Sequence, residues 1–202
     1  MPIGRPRAFD IEKALDRALQ VFWRKGYEGT SLSDLTKAMG INRPSLYAAF
    51  GNKEELFRKA LDRYAEGPAA YMRTALDEST ARAVVERLLR GVVDLLTDPG
   101  TPRGCLAVQG ALACGDAADA IRQELIARRA AGEAALRQRL ERAIAEGDLP
   151  ADADAADLAR YVTTVSQGMA VQAAGGASRE ELQRVVEMAL RAWPGGDRIA
   201  MP

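Results

Sequence analysis

The chain has 202 residues, 48% of them apolar and 5% aromatic, and its 28 Lys and Arg balance its 28 Asp and Glu. A chain of that size can bury a sizeable core, as one large domain or two small ones. It contains no His, which removes the commonest general base, the commonest metal ligand and the usual partner of a serine nucleophile.

Residues 1–9 form a short basic arm in which Arg5 and Arg7 flank Pro6, a segment of the kind that lies in a minor groove. Asp10 caps a first helix whose core stripe is Ile11, Ala14, Leu15, Ala18 and Phe22, and which stops near Gly26. Ser31 and Asp34 then make a capping-box pattern, and Leu32, Leu35, Ala38 and Met39 share one face of a second helix that Gly40 ends. Asn42 caps a third helix with Pro44 in its first turn, Leu46 and Phe50 on its buried face, and Gly51 after it. Asn52 with Glu55 opens a fourth. Two short helices joined by a glycine-containing turn are the helix-turn-helix pattern, in which the N-terminal residues of the second helix touch base edges.

The run from Phe9 to Phe57, centred on GYEGTSLSDLTKAMGINRPSLYAAFGNKEELF, resembles the N-terminal domain of TetR-family transcriptional repressors. The match covers about a quarter of the chain. It lies in the G-Y-x-x-T-S start, the A-x-x-G-I turn, the L-Y-x-x-F helix and the N-K-E-E-L-F that follows. Ala49 stands where many members carry His, so no base or phosphate contact is assigned there. The resemblance implies an all-α fold of about nine helices. Residues 1–52 would form a three-helix DNA-binding domain, and residues 53–202 a helical ligand-binding and dimerisation domain. Arg43 is the first choice for a base contact, because its guanidinium matches the two acceptors of guanine, with Pro44 and Ser45 beside it. Tyr47, Thr30 and Lys53 are assigned to phosphates, and Asn42, Arg5 and Arg7 complete the expected interface.

Charge supports this division. Residues 1–63 carry 12 Lys and Arg against 8 Asp and Glu, and the remainder carries the opposite excess. Downstream, Gly67-Pro68 predicts a break in the fourth helix, which resumes to about Asp77. Further helices are expected over Ala81–Leu96, Cys105–Cys114, Ala117–Glu146, from Asp154 to Gly175, and from Ser178 to Trp193.

Apolar positions with occasional amides (Leu88, Val92, Leu95, Leu106, Gln109, Leu112, Leu125 and Gln167) are candidates for an effector pocket, and would serve equally as ordinary core. With no candidate for a buried cation among them, a neutral or weakly polar effector is expected. Tyr161, Val165, Gly168, Met169, Val186, Leu190 and Trp193 are the expected dimer face; in the resembled family the last two helices meet their twins in a four-helix bundle. Cys105 and Cys114 lie nine residues apart, about 13 Å along one helix and on opposite faces, too far to bond.

No Ser-x-x-Lys signature or phosphate-cradling glycine loop is present, so no catalytic residue, metal site or cofactor is predicted, and the chain is not expected to be an enzyme. The absence of a signal-like apolar segment or of about 18 consecutive apolar residues predicts a soluble cytoplasmic protein without membrane contact. The sequence therefore points to a homodimeric repressor, released from a palindromic double-stranded DNA operator by a small molecule. Two other readings remain open: a thiol-redox sensor on the same fold, and a helical adaptor that does not bind DNA.

Overall fold

The computed structural model describes residues 9–112 and 118–194. Arg5, Arg7, Cys114 and the side chain of Leu112 lie outside that set. Ten helices and no strand occur among the described residues. In chain order they are α1 (Ile11–Lys25), α2 (Leu32–Met39), α3 (Arg43–Phe50), α4 (Lys53–Glu66), α5 (Tyr71–Ala75), α6 (Ala81–Thr97), α7 (Leu106–Leu112), α8 (Asp119–Ala145), α9 (Ala155–Ala174) and α10 (Arg179–Arg191). The expected count was about nine. The extra element is α5, separated from α4 by the Gly67-Pro68 break and short enough to have been read as a continuation.

Local chemistry sets most of the helix ends. The Ser31 hydroxyl accepts from the Asp34 amide while the Asp34 carboxylate accepts from the Ser31 amide, and the same reciprocal pair forms at Asn52/Glu55 and Ser178/Glu181. Gly40 ends α2 at φ 69°, ψ 30°, the left-handed conformation that a side chain disfavours.

The N-terminal helices enclose an aromatic cluster. Phe22 of α1 meets Phe57 of α4 edge-on at 4.9 Å between centroids, and Trp23 meets Tyr64 likewise at 4.8 Å. Leu35, Met39, Leu46 and Phe50 seal the floor beneath α2 and α3, none more than 3% exposed.

Helix α4 joins this unit to the body. On one side Arg63 pairs with Glu12 and Asp16 of α1, at 3.0 and 2.7 Å. On the other, Arg58 reaches Glu124 at 2.6 Å, and Arg128 of α8 reaches both Asp62 and Glu124 at 2.8 Å. In the body α8 packs along α7 and α9, while α10 packs against α6 and α9.

Candidate nucleic-acid interface

The eight residues of α3 divide cleanly. Leu46 and Phe50 are buried at 1% and 3% exposure, whereas Arg43, Pro44 and Ala48 are exposed and Tyr47 keeps 48% of its surface free. The four-residue spacing of the buried pair leaves the opposite face open for a groove. Asn42 is exposed and its Oδ1 accepts from the Ser45 amide at 2.9 Å, so one expected DNA contact also starts the helix. Ser45 itself is half-buried. Arg43 makes no ion pair with any described residue, which leaves its guanidinium available.

Lys53, the first residue of α4, holds its ammonium 4.4 Å from the centroid of the Tyr27 ring. Partial burial pushes its pKa below the usual lysine range, and the Glu28 carboxylate partly offsets that effect. Tyr27 is thus a positioning side chain of this face. In the sequence Tyr27 belongs to the G-Y-x-x-T-S start, where nothing in the local pattern marks it as a neighbour of Lys53.

Thr30 requires a correction. Its side chain is 1% exposed, and its hydroxyl donates to the Gly26 carbonyl at 2.6 Å, while its amide donates to Tyr27. A group so committed cannot reach a phosphate; Thr30 instead fixes the turn before α2. Phe9, the first described residue, packs against Phe50 of α3 with centroids 6.4 Å apart.

The last two helices show a second correction. Met169, Val186, Leu190 and Trp193, expected at a dimer face, are 2–6% exposed and belong to the protomer's own core. Of the same expected face, Tyr161 at 40% and Gly168 are exposed and Val165 is half-buried; the other open apolar positions on these helices are Val171 at 50%, Val185 at 40% and Met188 at 67%.

Of the expected pocket residues, Val92, Leu95, Leu106 and Leu125 are buried in the core. Leu88 and Gln109 are half-buried, and the Gln109 amide lies against Gly104. Gln167 lines an open groove of about 320 Å³ between α8 and α9, together with Ile126, Arg129, Glu133, Arg137 and Arg160. One cation is buried elsewhere in the body: Arg139 is 5% exposed. Cys105 is 7% exposed and its Sγ accepts from the Tyr64 hydroxyl at 3.4 Å. Among the described residues no cluster of His, Cys, Asp or Glu could hold a metal ion, and no helix is long and apolar enough to cross a membrane.

A helix-turn-helix with one polar open face, set on a larger helical body, defines a class of DNA-reading regulators, and comparison places the chain within it. Residues 14–60 match the family described as bacterial regulatory proteins, tetR family, and residues 80–189 match the tetracyclin repressor-like C-terminal domain. The protein belongs to the TetR family. It is 37% identical over 193 residues to the HTH-type transcriptional repressor ComR of Escherichia coli (strain K12), covering 95% of this chain and 92% of that one. It is 50% identical, with a TM-score of 0.90, to a cysteine mutant of the TetR family transcriptional regulator CifR complexed with 26-bp double-strand operator DNA, over 94% of this chain and all of that one. A TetR regulator from Rhodococcus sp. RHA1 is 44% identical, with a TM-score of 0.62 over 90% of this chain and 97% of that one.

Proposed function

We propose that the protein is a DNA-binding transcriptional repressor that acts as a homodimer on a palindromic operator and is released by a small-molecule effector. One observation carries the reading: α3 buries Leu46 and Phe50 and presents Arg43, Pro44 and Tyr47 outward, on a scaffold whose 50%-identical neighbour was solved with operator DNA. Residues 1–52 read the DNA, and residues 53–202 hold the effector and the dimer contact. Arg43 takes a guanine in the major groove, with Pro44 and Ser45 alongside. Tyr47, Lys53 and the exposed amide of Asn42 position the helix on phosphates, and Arg5 and Arg7 extend the contact into the adjacent minor groove. Two copies meet through Tyr161, Val165, Gly168 and Val171 of α9 and Val185 and Met188 of α10, an isologous contact suited to a two-fold site. The protein performs no catalysis and works in the cytoplasm.

The test is fluorescence anisotropy with DNA from directly upstream of the protein's own coding region, at two salt concentrations. Specific binding that weakens steeply with salt and drops about ten- to a hundred-fold in Arg43→Ala supports the assignment. Equal affinity for unrelated DNA, unchanged by Arg43→Ala, refutes it.

A further inference from the structure

Between α8 and α9 the body leaves a groove of about 320 Å³, at the small end of the range for small-molecule sites. Its floor consists of short side chains, Ala130 and Ala134 from α8 with Ala156 and Ala159 from α9. Its walls carry three arginines (Arg129, Arg137 and Arg160) against one glutamate, Glu133.

The hydrogen bonds show which of these charges are already matched. Glu133 accepts from Arg160 at 2.7 Å and from the Thr163 hydroxyl at 3.2 Å, so the acid of the groove is neutralised within it. Arg137 forms a surface pair with Glu141, 3.2 Å away. Arg129 is different. Its Nη1 donates to the carbonyl of Ala107 in α7 at 2.9 Å, which anchors the half-buried guanidinium, while its Nε and Nη2 meet no partner among the described residues. Those two N–H groups form the side of the guanidinium that grips both oxygens of a carboxylate. Because Glu133 meets Arg160 and Thr163, stepping back along α8 to Arg129 and Ile126 corresponds to stepping forward along α9 to Gln167. One end of the groove therefore combines an anchored, unmatched cation, an exposed Ile126 and a half-buried amide that has no partner among the described residues.

We propose that this end of the α8–α9 groove is the effector site, and that it takes a carboxylate carried on a short apolar body. Arg129 holds the two oxygens side-on, the Gln167 amide supplies a further donor, and the body lies on Ile126 and Ala130. A small inorganic anion would leave that apolar surface in water, and a neutral molecule would leave Arg129 without a counter-charge. The groove opens on another side of α9 from the dimer face, since Ala156, Arg160 and Gln167 point about 100° round the helix from Tyr161 and Gly168. The neighbouring Arg128 pairs with Asp62 of α4 at 2.8 Å, so a ligand held at Arg129 acts on the stretch of α8 that fastens the DNA-reading unit. The inference rests on the body being the effector domain. It assigns an acidic effector bound between two helices, in place of a neutral one among the core residues.

The test uses the full chain without DNA, so its outcome is independent of the operator experiment. Saturation-transfer NMR follows sodium benzoate, benzyl alcohol and sodium acetate at constant ionic strength set with sodium chloride. Benzoate binds saturably. Benzyl alcohol, with the ring and no charge, and acetate, with the charge and no ring, each bind about ten-fold more weakly or worse. Arg129→Gln weakens benzoate by a factor of about ten. Because Arg129 also anchors α7, a second variant leaves it in place. Ala130→Leu, at an exposed helical position that accepts Leu readily, fills the floor and weakens benzoate several-fold with the unfolding midpoint unchanged. Absence of saturable benzoate binding overturns the proposal, as does benzyl alcohol binding equally well. So does benzoate binding that is unaltered in Arg129→Gln or in Ala130→Leu.

Discussion

The indole of Trp23, in the DNA-reading unit, donates to the carbonyl of Gly104 at 2.7 Å, a bond that closes 81 residues of chain. It ties α1 to the segment that leads into α7, so the two units are joined there as well as through α4. Gly104 carries φ 90°, and a Cβ on it would collide with the Gln109 amide. Trp23→Phe keeps the edge-on contact with Tyr64 and strips the donor from a buried carbonyl. The expected cost is about 1–3 kcal/mol, read as a lower urea midpoint at an unchanged slope.

Lys53 and Arg43 are expected to fail differently. Lys53→Met weakens binding to every DNA sequence alike and lowers the salt slope by about one, because a phosphate contact releases a counterion and reads no base. Arg43→Ala chiefly erases the preference for the operator. Anisotropy titrations over a salt series, on operator and scrambled DNA, separate the two. A sequence-selective loss in Lys53→Met would remove it from the phosphate group.

The lateral shift of the open apolar face gives a paired prediction. Met188→Asp places a charge on an exposed position and is expected to yield a folded monomer by sedimentation. Leu190→Ala, at a position only 6% exposed, is expected to cost about 2–5 kcal/mol of stability and leave the association state of the folded fraction unchanged. The opposite pattern would return the dimer face to the residues named from sequence.

Glu124 provides a pH signature. Burial opposes its ionised form, but hydrogen bonds from Arg128 and Arg58 outweigh that and hold its pKa below the ordinary 4.5. A folded pKa depressed in this way contributes stability that is fully present above 4.5 and is lost as the pH falls from there through the folded value. Wild-type protein should therefore lose stability on acidification more steeply than Glu124→Gln between about pH 5 and about pH 3, as measured by urea unfolding at each pH. Parallel curves would show that the bridge to Arg58 and Arg128 adds nothing.

What could be read from the sequence was what is decided within a few residues. The Ser31/Asp34 and Asn52/Glu55 boxes, the Asn42 cap, the left-handed Gly40 and the helix start at Ser178 all formed as expected, because each depends on neighbours three or four positions away. Periodicity gave α10 an apolar stripe but could not say which edge of it meets the protomer's own α6 and which faces outward, hence the exchange of Val186 and Leu190 for Val185 and Met188. Thr30 was misassigned because a hydroxyl beside a turn looks the same in sequence whether it points to solvent or back to Gly26. Arg139 was invisible because its burial depends on carbonyls some 60 residues earlier in the chain. The helix-turn-helix was legible as a compact local unit, whereas the body's pocket and faces are products of long-range packing.

The arginines that fasten α4 on both flanks complicate the measurement of DNA affinity itself. Arg58 and Arg63 are held by surface pairs with Glu124, Glu12 and Asp16, which added electrolyte weakens along with the contacts to the nucleic acid. A titration against ionic strength will therefore record two processes together: ion displacement from the duplex and loosening of the helix that ties the DNA-reading unit to the body. The number of phosphates inferred from its gradient will exceed the number touched, and the excess measures how firmly α4 was held by those pairs.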